Sequence, residues 1–94
     1  MLALSHRIVE SDVFARAKKY QGWSPNLLTG TMLQGKTLGI VGTGRIGISV
    51  ARRAVLGLGM HCLYTDHKRQ PELEKDINAQ PASLEQLLQK SDVV

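Results

Sequence analysis

Apolar residues recur along this chain with two different spacings. The points at which the spacing changes mark the ends of the predicted strands and helices. An almost continuous apolar run from Thr37 to Val41 has the length and composition of a buried parallel strand. From Ile46 to Leu58, apolar and small residues recur every three to four positions, which predicts a helix. A second run from Met60 to Thr65 predicts another strand. The pattern therefore predicts a strand, helix, strand unit of a parallel α/β fold.

The segments on either side of this unit carry weaker patterns. Leu2 to Tyr20 lacks Gly and Pro and has apolar residues at helical spacing, which predicts one helix. That helix begins without a capping residue, so we expect the chain to open inside a longer helix. Residues 21–30 are rich in turn-forming residues and predict a loop, in which Trp23 packs on its own domain or on a partner subunit.

After the second strand, the pattern predicts further helices. A short acidic helical turn is expected from Glu72 to Asp76, and a minor strand near Ile77 to Gln80. Ser83 begins a capping box, so a last helix is expected to run to about Lys90. Residues 92–94 resemble the start of one more strand.

Three glycines fall between the first predicted strand and its helix, with the spacing G-x-G-x-x-G over Gly42, Gly44 and Gly47. Such a turn can bind a pyrophosphate, because a helix N-terminus offers free N–H groups and its dipole to an anion. The first glycine allows the tight turn, the second a close approach of the phosphates, and the third close packing of the helix. The amides of Arg45 and Ile46 are the expected donors, and the Arg45 side chain is either a further phosphate contact or a solvated residue.

An acidic residue, Asp66, ends the second strand about 20 residues after the last of these glycines, where a carboxylate can bind the adenosine ribose hydroxyls. It would also repel a 2′-phosphate, which favours NAD over NADP. Two alternatives stay open: Asp66 is a solvated acid or loop cap, or the following bases His67, Lys68 and Arg69 bind that phosphate. The residues predicted to contact the coenzyme are Gly42, Thr43, Gly44, Arg45, Ile46, Gly47, Asp66 and His67.

Composition argues against several other classes of function. The 94 residues are 43% apolar and 21% charged, as in globular proteins, and the bases behind the net charge of +4 are scattered, which argues against nucleic-acid binding. A single cysteine, Cys62, allows no internal disulfide and suits the cytoplasm. No apolar run reaches the roughly 18 residues of a membrane span, so no membrane partner is expected.

No group of residues for a chemical step is visible. His6, His61 and His67 are not spaced with carboxylates as a dyad or metal site would require, and no serine nucleophile motif is present. The sequence therefore predicts a segment that binds a coenzyme and contains neither catalytic residues nor a metal site.

The glycine stretch and its flanks resemble a known family. The segment from Leu33 to Gly47, followed by Ala51-Arg52-Arg53 and Leu58-Gly59-Met60, is similar to the coenzyme-binding domain of the D-isomer-specific 2-hydroxyacid dehydrogenases, such as the glyoxylate and hydroxypyruvate reductases. Further matches are Leu2 to Ile8 with the end of the helix that crosses from the substrate domain, Gly22-Trp23 with the loop before the coenzyme domain, and residues 91–94 with the strand after its third helix.

This resemblance implies an α/β fold with a partial, doubly wound parallel sheet of the Rossmann type. Residues 1–30 would form an interdomain helix and loop, and 31–94 the N-terminal part of the dinucleotide-binding domain. The family implies a two-domain, usually dimeric enzyme that moves hydride between a nicotinamide and a 2-oxo or 2-hydroxy acid. Its catalytic arginine, glutamate and histidine are expected beyond Val94, so these 94 residues are expected to be inactive alone.

Two other interpretations remain at this point. The chain could be a non-catalytic nucleotide-binding module or an inactive truncated fragment. It could also belong to another Rossmann protein with a similar first strand, such as adenosylhomocysteine hydrolase, although Gly22-Trp23 and Gly59-Met60 argue against that choice.

Overall fold

A computed structural model describes residues 1–94, which form two compact units, Met1–Met32 and Leu33–Val94. The assignment of residues 1–30 as an interdomain segment stays a prediction. None of the helices in either unit is both long enough and apolar enough to span a lipid bilayer.

The first unit contains two short helices, α1 (Leu2–Ser5) and α2 (Ile8–Arg16). The prediction of one continuous helix to Tyr20 was therefore wrong. Arg7 separates the two helices with φ of 52°, a left-handed conformation that an α-helix cannot contain. Its carbonyl accepts hydrogen bonds from the amide and the hydroxyl of Ser11, at 2.9 and 2.8 Å, which begins the second helix in a new direction. Neither Gly nor Pro marks this break in the sequence.

The second unit is built on a parallel sheet of three strands, β1 (Thr37–Val41), β2 (His61–Thr65) and β3 (Gln80–Pro81), in the spatial order β1-β2-β3. Val93 pairs in parallel with Leu38, and its carbonyl accepts from the Gly39 amide at 2.8 Å. This contact lies on the edge of β1 that faces away from β2. The chain thus reverses its direction of strand addition at β1, as doubly wound sheets do, and the predicted Rossmann-type fold is confirmed.

The helix between β1 and β2 changes its geometry partway. It is α-helical over α3 (Arg45–Arg52) and continues as one π-helical turn, Arg53–Gly57. Small residues face the sheet, since Ala51 and Ala54 are fully buried, whereas Ile46 is 81% exposed. Ile46, the first apolar residue of the predicted helix, therefore does not pack on the sheet.

The last two helices, α4 (Pro71–Ile77) and α5 (Leu84–Lys90), agree with the predicted positions. The predicted capping box is present: the Ser83 hydroxyl accepts from the Gln86 amide at 3.2 Å, and the Gln86 side chain accepts from the Ser83 amide at 3.3 Å. The buried core of this unit consists of Leu33, Leu38, Ile40, Ala51, Ala54, Met60, Cys62, Tyr64, Leu73, Ile77, Ala79 and Leu87. Because this core anchors both sides of the β1–α3 turn, it fixes the geometry of the predicted site.

Candidate coenzyme site

The glycine turn joins the carboxyl end of β1 to the N-terminus of α3. Gly42 has φ of 92°, a conformation that side chains rarely adopt, and its amide donates to the Thr65 carbonyl at 2.9 Å. The turn is thereby hydrogen-bonded to the end of β2, and its backbone is fixed before any ligand binds. This agrees with the role expected of the first glycine.

The second and third glycines are required for different reasons. A Cβ atom at Gly47 would lie 2.2 Å from the Gly42 carbonyl oxygen, so a side chain there would push α3 off the turn. At Gly44 an added Cβ would meet nothing within 4 Å. The space beside Gly44 is therefore empty of protein atoms, and the absence of a side chain there leaves the backbone open to a ligand.

Backbone amides at the start of α3 lack acceptors within the helix. Gly44 is the N-cap, and its carbonyl accepts the first helical hydrogen bond, from the Ile48 amide at 3.0 Å. The amides of Arg45, Ile46 and Gly47 precede that bond, and no side chain caps them. Together with the helix dipole, they suit an anion placed over Gly44.

An open cleft of about 660 Å³ lies over these amides. It sits at the carboxyl end of β1, the strand at which the sheet stops growing in one direction and starts growing in the other. Open α/β sheets bind their ligands at such a point. Its lining residues are Gly39, Ile40, Val41, Gly42, Gly44, Arg45, Ile46, Gly47, Val50 and Val94. The exposed apolar side chain of Ile46 thus faces the cleft, which explains why it is absent from the core.

Thr43 and Asp66 are joined by two hydrogen bonds that the sequence did not reveal. The Thr43 side chain is 3% exposed, and its amide and hydroxyl both donate to Asp66 Oδ2, at 2.6 and 2.5 Å. The His67 amide donates to Asp66 Oδ1 at 2.6 Å. These bonds, of which those from Thr43 have the largest effect, lower the pKa of Asp66 from 3.8 to about 2, so that the carboxylate stays charged well below neutral pH.

A second, smaller cleft of about 340 Å³ lies beside this carboxylate, at the carboxyl end of β2. Its size suits part of a nucleotide rather than a whole dinucleotide. It is lined by Tyr64, Thr65, Asp66, Lys68, Arg69, Pro81 and Ala82. Asp66 therefore lies between the glycine turn and this second cleft.

Two of the three histidines belong to the second unit, and they lie apart. His61 opens β2, whereas His67 follows the opposite end of that strand. His6 belongs to the first unit. No three side chains among His, Cys, Asp and Glu are grouped as a metal site would require. The chemistry that the glycine turn offers is the binding of an anionic ligand by backbone amides.

Comparison with known proteins agrees with this geometry. The sequence model of the family described as "D-isomer specific 2-hydroxyacid dehydrogenase, NAD binding domain" matches residues 1–94. Among curated relatives, the glyoxylate reductase of Thermococcus litoralis is 45% identical over 100% of this chain, and the glycerate dehydrogenase of Cucumis sativus is 38% identical over 99%. The chain spans 29% and 28% of the length of these two proteins.

Solved structures give the same result. The TT0316 protein of Thermus thermophilus superposes with a TM-score of 0.86 at 43% identity, over 97% of this chain and 27% of that protein. The apo form of the D-mandelate dehydrogenase of Rhodotorula graminis superposes with a TM-score of 0.80 at 31% identity, over 97% of this chain and 28% of that protein. With the glycine turn at the N-terminus of α3 and a family match over its whole length, this chain belongs to the D-isomer specific 2-hydroxyacid dehydrogenases, within their NAD binding domain.

Proposed function

We propose that this chain binds the pyrophosphate and adenosine ribose of NAD, as part of a dehydrogenase that acts on D-2-hydroxy acids. The observation that carries the proposal is the empty space over Gly44, next to three backbone amides without helical acceptors. A pyrophosphate is an anion that can accept hydrogen bonds from these amides. It can come within hydrogen-bonding distance of the backbone only where no side chain stands in the way.

Each predicted site residue has a role in this proposal. Gly42 and Gly47 shape the turn, Gly44 admits the pyrophosphate, and the amides of Arg45 and Ile46 donate to it. Thr43 holds Asp66 in place, Asp66 accepts hydrogen bonds from the ribose, and the His67 backbone fixes the other oxygen of that carboxylate.

We propose NAD rather than NADP as the coenzyme. The Asp66 carboxylate is ionised and faces the second cleft, where the adenosine ribose would lie. A 2′-phosphate at this position would bring two negative groups together in the space that the ribose hydroxyls otherwise fill. Cofactor preference is therefore the property that most directly tests the assigned role of Asp66.

The activity that we propose for the whole protein is the reduction of a 2-oxo acid such as glyoxylate or hydroxypyruvate, in the manner that the names of its relatives describe. Bound NADH would supply the hydride to the carbonyl carbon. We assign the donation of the accompanying proton, and the binding of the substrate carboxylate, to other parts of the enzyme. We also propose a cytoplasmic homodimer.

The test is the affinity for NADH of the Gly44→Ala variant, measured by quenching of protein fluorescence. The added methyl group fills the space reserved for the pyrophosphate, so we expect affinity to fall at least about tenfold, equivalent to roughly 1.4 kcal/mol. Gly57→Ala is the matched control, because a Cβ there also meets nothing within 4 Å but lies at the far end of the helix. Equal affinities in both variants and the unmodified protein would overturn the proposed site.

A further inference from the structure

A chain of side-chain hydrogen bonds leads from the core to the edge of the second cleft. The Tyr64 side chain is 1% exposed, and its hydroxyl donates to Glu74 Oε1 at 2.5 Å while accepting from the Gln70 amide at 2.9 Å. Arg69 donates to both oxygens of Glu74, from Nε at 2.8 Å and from Nη2 at 3.0 Å. The three side chains therefore form a single network, which we call the Tyr64–Glu74–Arg69 network.

The electrostatics of this network favour one arrangement. Burial, followed by the bond to Glu74, raises the pKa of Tyr64, so its hydroxyl stays protonated and donates. The bonds from Arg69 and then from Tyr64 lower the pKa of Glu74, which keeps this carboxylate charged. A bidentate pair between a guanidinium and a carboxylate has a preferred geometry as well as a favourable energy, so it directs the exposed Arg69 side chain towards Glu74.

In that orientation the charge of Arg69 is paired with the carboxylate of Glu74. Arg69 lies at the same cleft as Asp66, where a free guanidinium would be suited to bind a 2′-phosphate. Instead, its donors Nε and Nη2 are taken up by Glu74. If a 2′-phosphate did enter, the Glu74 carboxylate would repel it or lose its own partner, and either outcome disfavours binding.

We propose that Glu74, oriented by the buried Tyr64 hydroxyl, is a specificity-determining residue that withholds Arg69 from the ribose site and thereby disfavours NADP. This proposal rests on the proposed function, since it concerns the same coenzyme site. Asp66 repels the phosphate directly, whereas Glu74 acts by occupying the base that would otherwise bind it. Glu74 is a positioning residue in this scheme and does not contact NAD.

The experiment compares the dissociation constants of NADH and NADPH in the Glu74→Gln variant. Glutamine keeps the size of the side chain and an acceptor for Tyr64, but it releases the charge of Arg69. We expect NADPH to bind about tenfold more tightly than in the unmodified protein, the gain for roughly one charge-assisted hydrogen bond, with NADH affinity unchanged. If Glu74 had a purely structural role, the variant would instead bind both coenzymes more weakly.

Two further variants test whether the effect of Glu74→Gln on NADPH binding acts through Arg69. Asp76→Asn is the matched control, because Asp76 lies on the same helix and pairs with Arg52 at 2.6 Å, away from the second cleft. Asp76→Asn changes the net charge by the same amount as Glu74→Gln, and it should leave the ratio of the NADH and NADPH affinities unaltered. In the Arg69→Gln, Glu74→Gln double variant the gain for NADPH should disappear, since the released guanidinium is no longer present.

The outcomes separate this proposal from the proposed function. If the unmodified protein binds NADH and the ratio of affinities in Glu74→Gln is unchanged, the role of Glu74 is wrong while coenzyme binding stands. If the unmodified protein binds neither coenzyme, the proposed function itself fails. Should Glu74→Gln not fold, Tyr64→Phe removes only the orienting hydroxyl, and it should shift the ratio in the same direction by a smaller factor; an unchanged ratio overturns the proposal.

Discussion

Thr43 shows how one small side chain can organise a binding site before any ligand arrives. It sits between two glycines of the turn, yet it is buried, and both of its donors reach the same Asp66 oxygen. The turn after β1 and the end of β2 are therefore linked by a charged hydrogen-bonded pair. Asp66 is held at the position where a ribose is expected, so little rearrangement is needed on binding.

The Thr43–Asp66 pair predicts a stability loss in acid. The pKa of Asp66 is depressed from 3.8 to about 2 in the folded protein, so its contribution is fully present above pH 3.8 and is lost as the pH falls towards 2. As the pH is lowered from 3.8 to about 2, the melting temperature of the Asp66→Asn variant should fall less than that of the unmodified protein. Thr43→Val, which removes the hydroxyl donor alone, should show part of the same effect; curves that superpose for all three proteins would contradict this assignment.

The glycines and Asp66 could be identified from the sequence, whereas their hydrogen bonds could not. The G-x-G-x-x-G spacing and the acid at the end of β2 reflect local rules of backbone geometry and charge. The bond between Thr43 and Asp66 joins residues 23 positions apart, and it depends on how closely the turn approaches β2. Arg69 and Glu74 could be paired only once α4 had been placed, because neither residue belongs to a recognisable motif.

The sequence predicted the positions of strands and helices better than it predicted whether a helix is continuous. Strand β1 and helix α5 were predicted correctly because their ends carry local signals, a glycine turn and a capping box. The break at Arg7 and the π-helical turn at Arg53–Gly57 carry no such signal. The break places Arg7 in the left-handed region, and the π-helical turn changes the spacing of the helical hydrogen bonds, so only the surrounding structure determines them.

The capping box of α5 predicts a measurable stability difference. Ser83→Ala removes the acceptor for the Gln86 amide and should lower the free energy of unfolding by about 1 kcal/mol. Urea unfolding followed by circular dichroism measures this value. Gln89→Ala on the exposed surface of the same helix is the control and should cost less, since alanine is the better helix former. Equal stabilities for these two variants would show that the box is not stabilising.

Both units of the chain expose large apolar side chains. Among them are Leu4, Trp23 and Ile46, each more than 80% exposed. Such surface favours contact with further protein.

We therefore expect the 94-residue chain, expressed alone, to associate or to be only marginally stable. Sedimentation velocity over a range of concentrations should show species larger than 10.3 kDa, because burial of exposed apolar side chains favours association. Thermal unfolding should be broad and dependent on protein concentration. A monomer that melts in one sharp, concentration-independent transition would contradict this expectation.

The central position of β1 also has a consequence for biosynthesis. One edge of this strand pairs with β2 and the other with Val93, and both partners follow it in the chain. During translation, β1 leaves the ribosome with neither edge paired, and its second partner is synthesised only at the end of these 94 residues. Until then an apolar strand with open edges can pair with other nascent chains, so this segment is where we expect a chaperone to protect the newly made polypeptide.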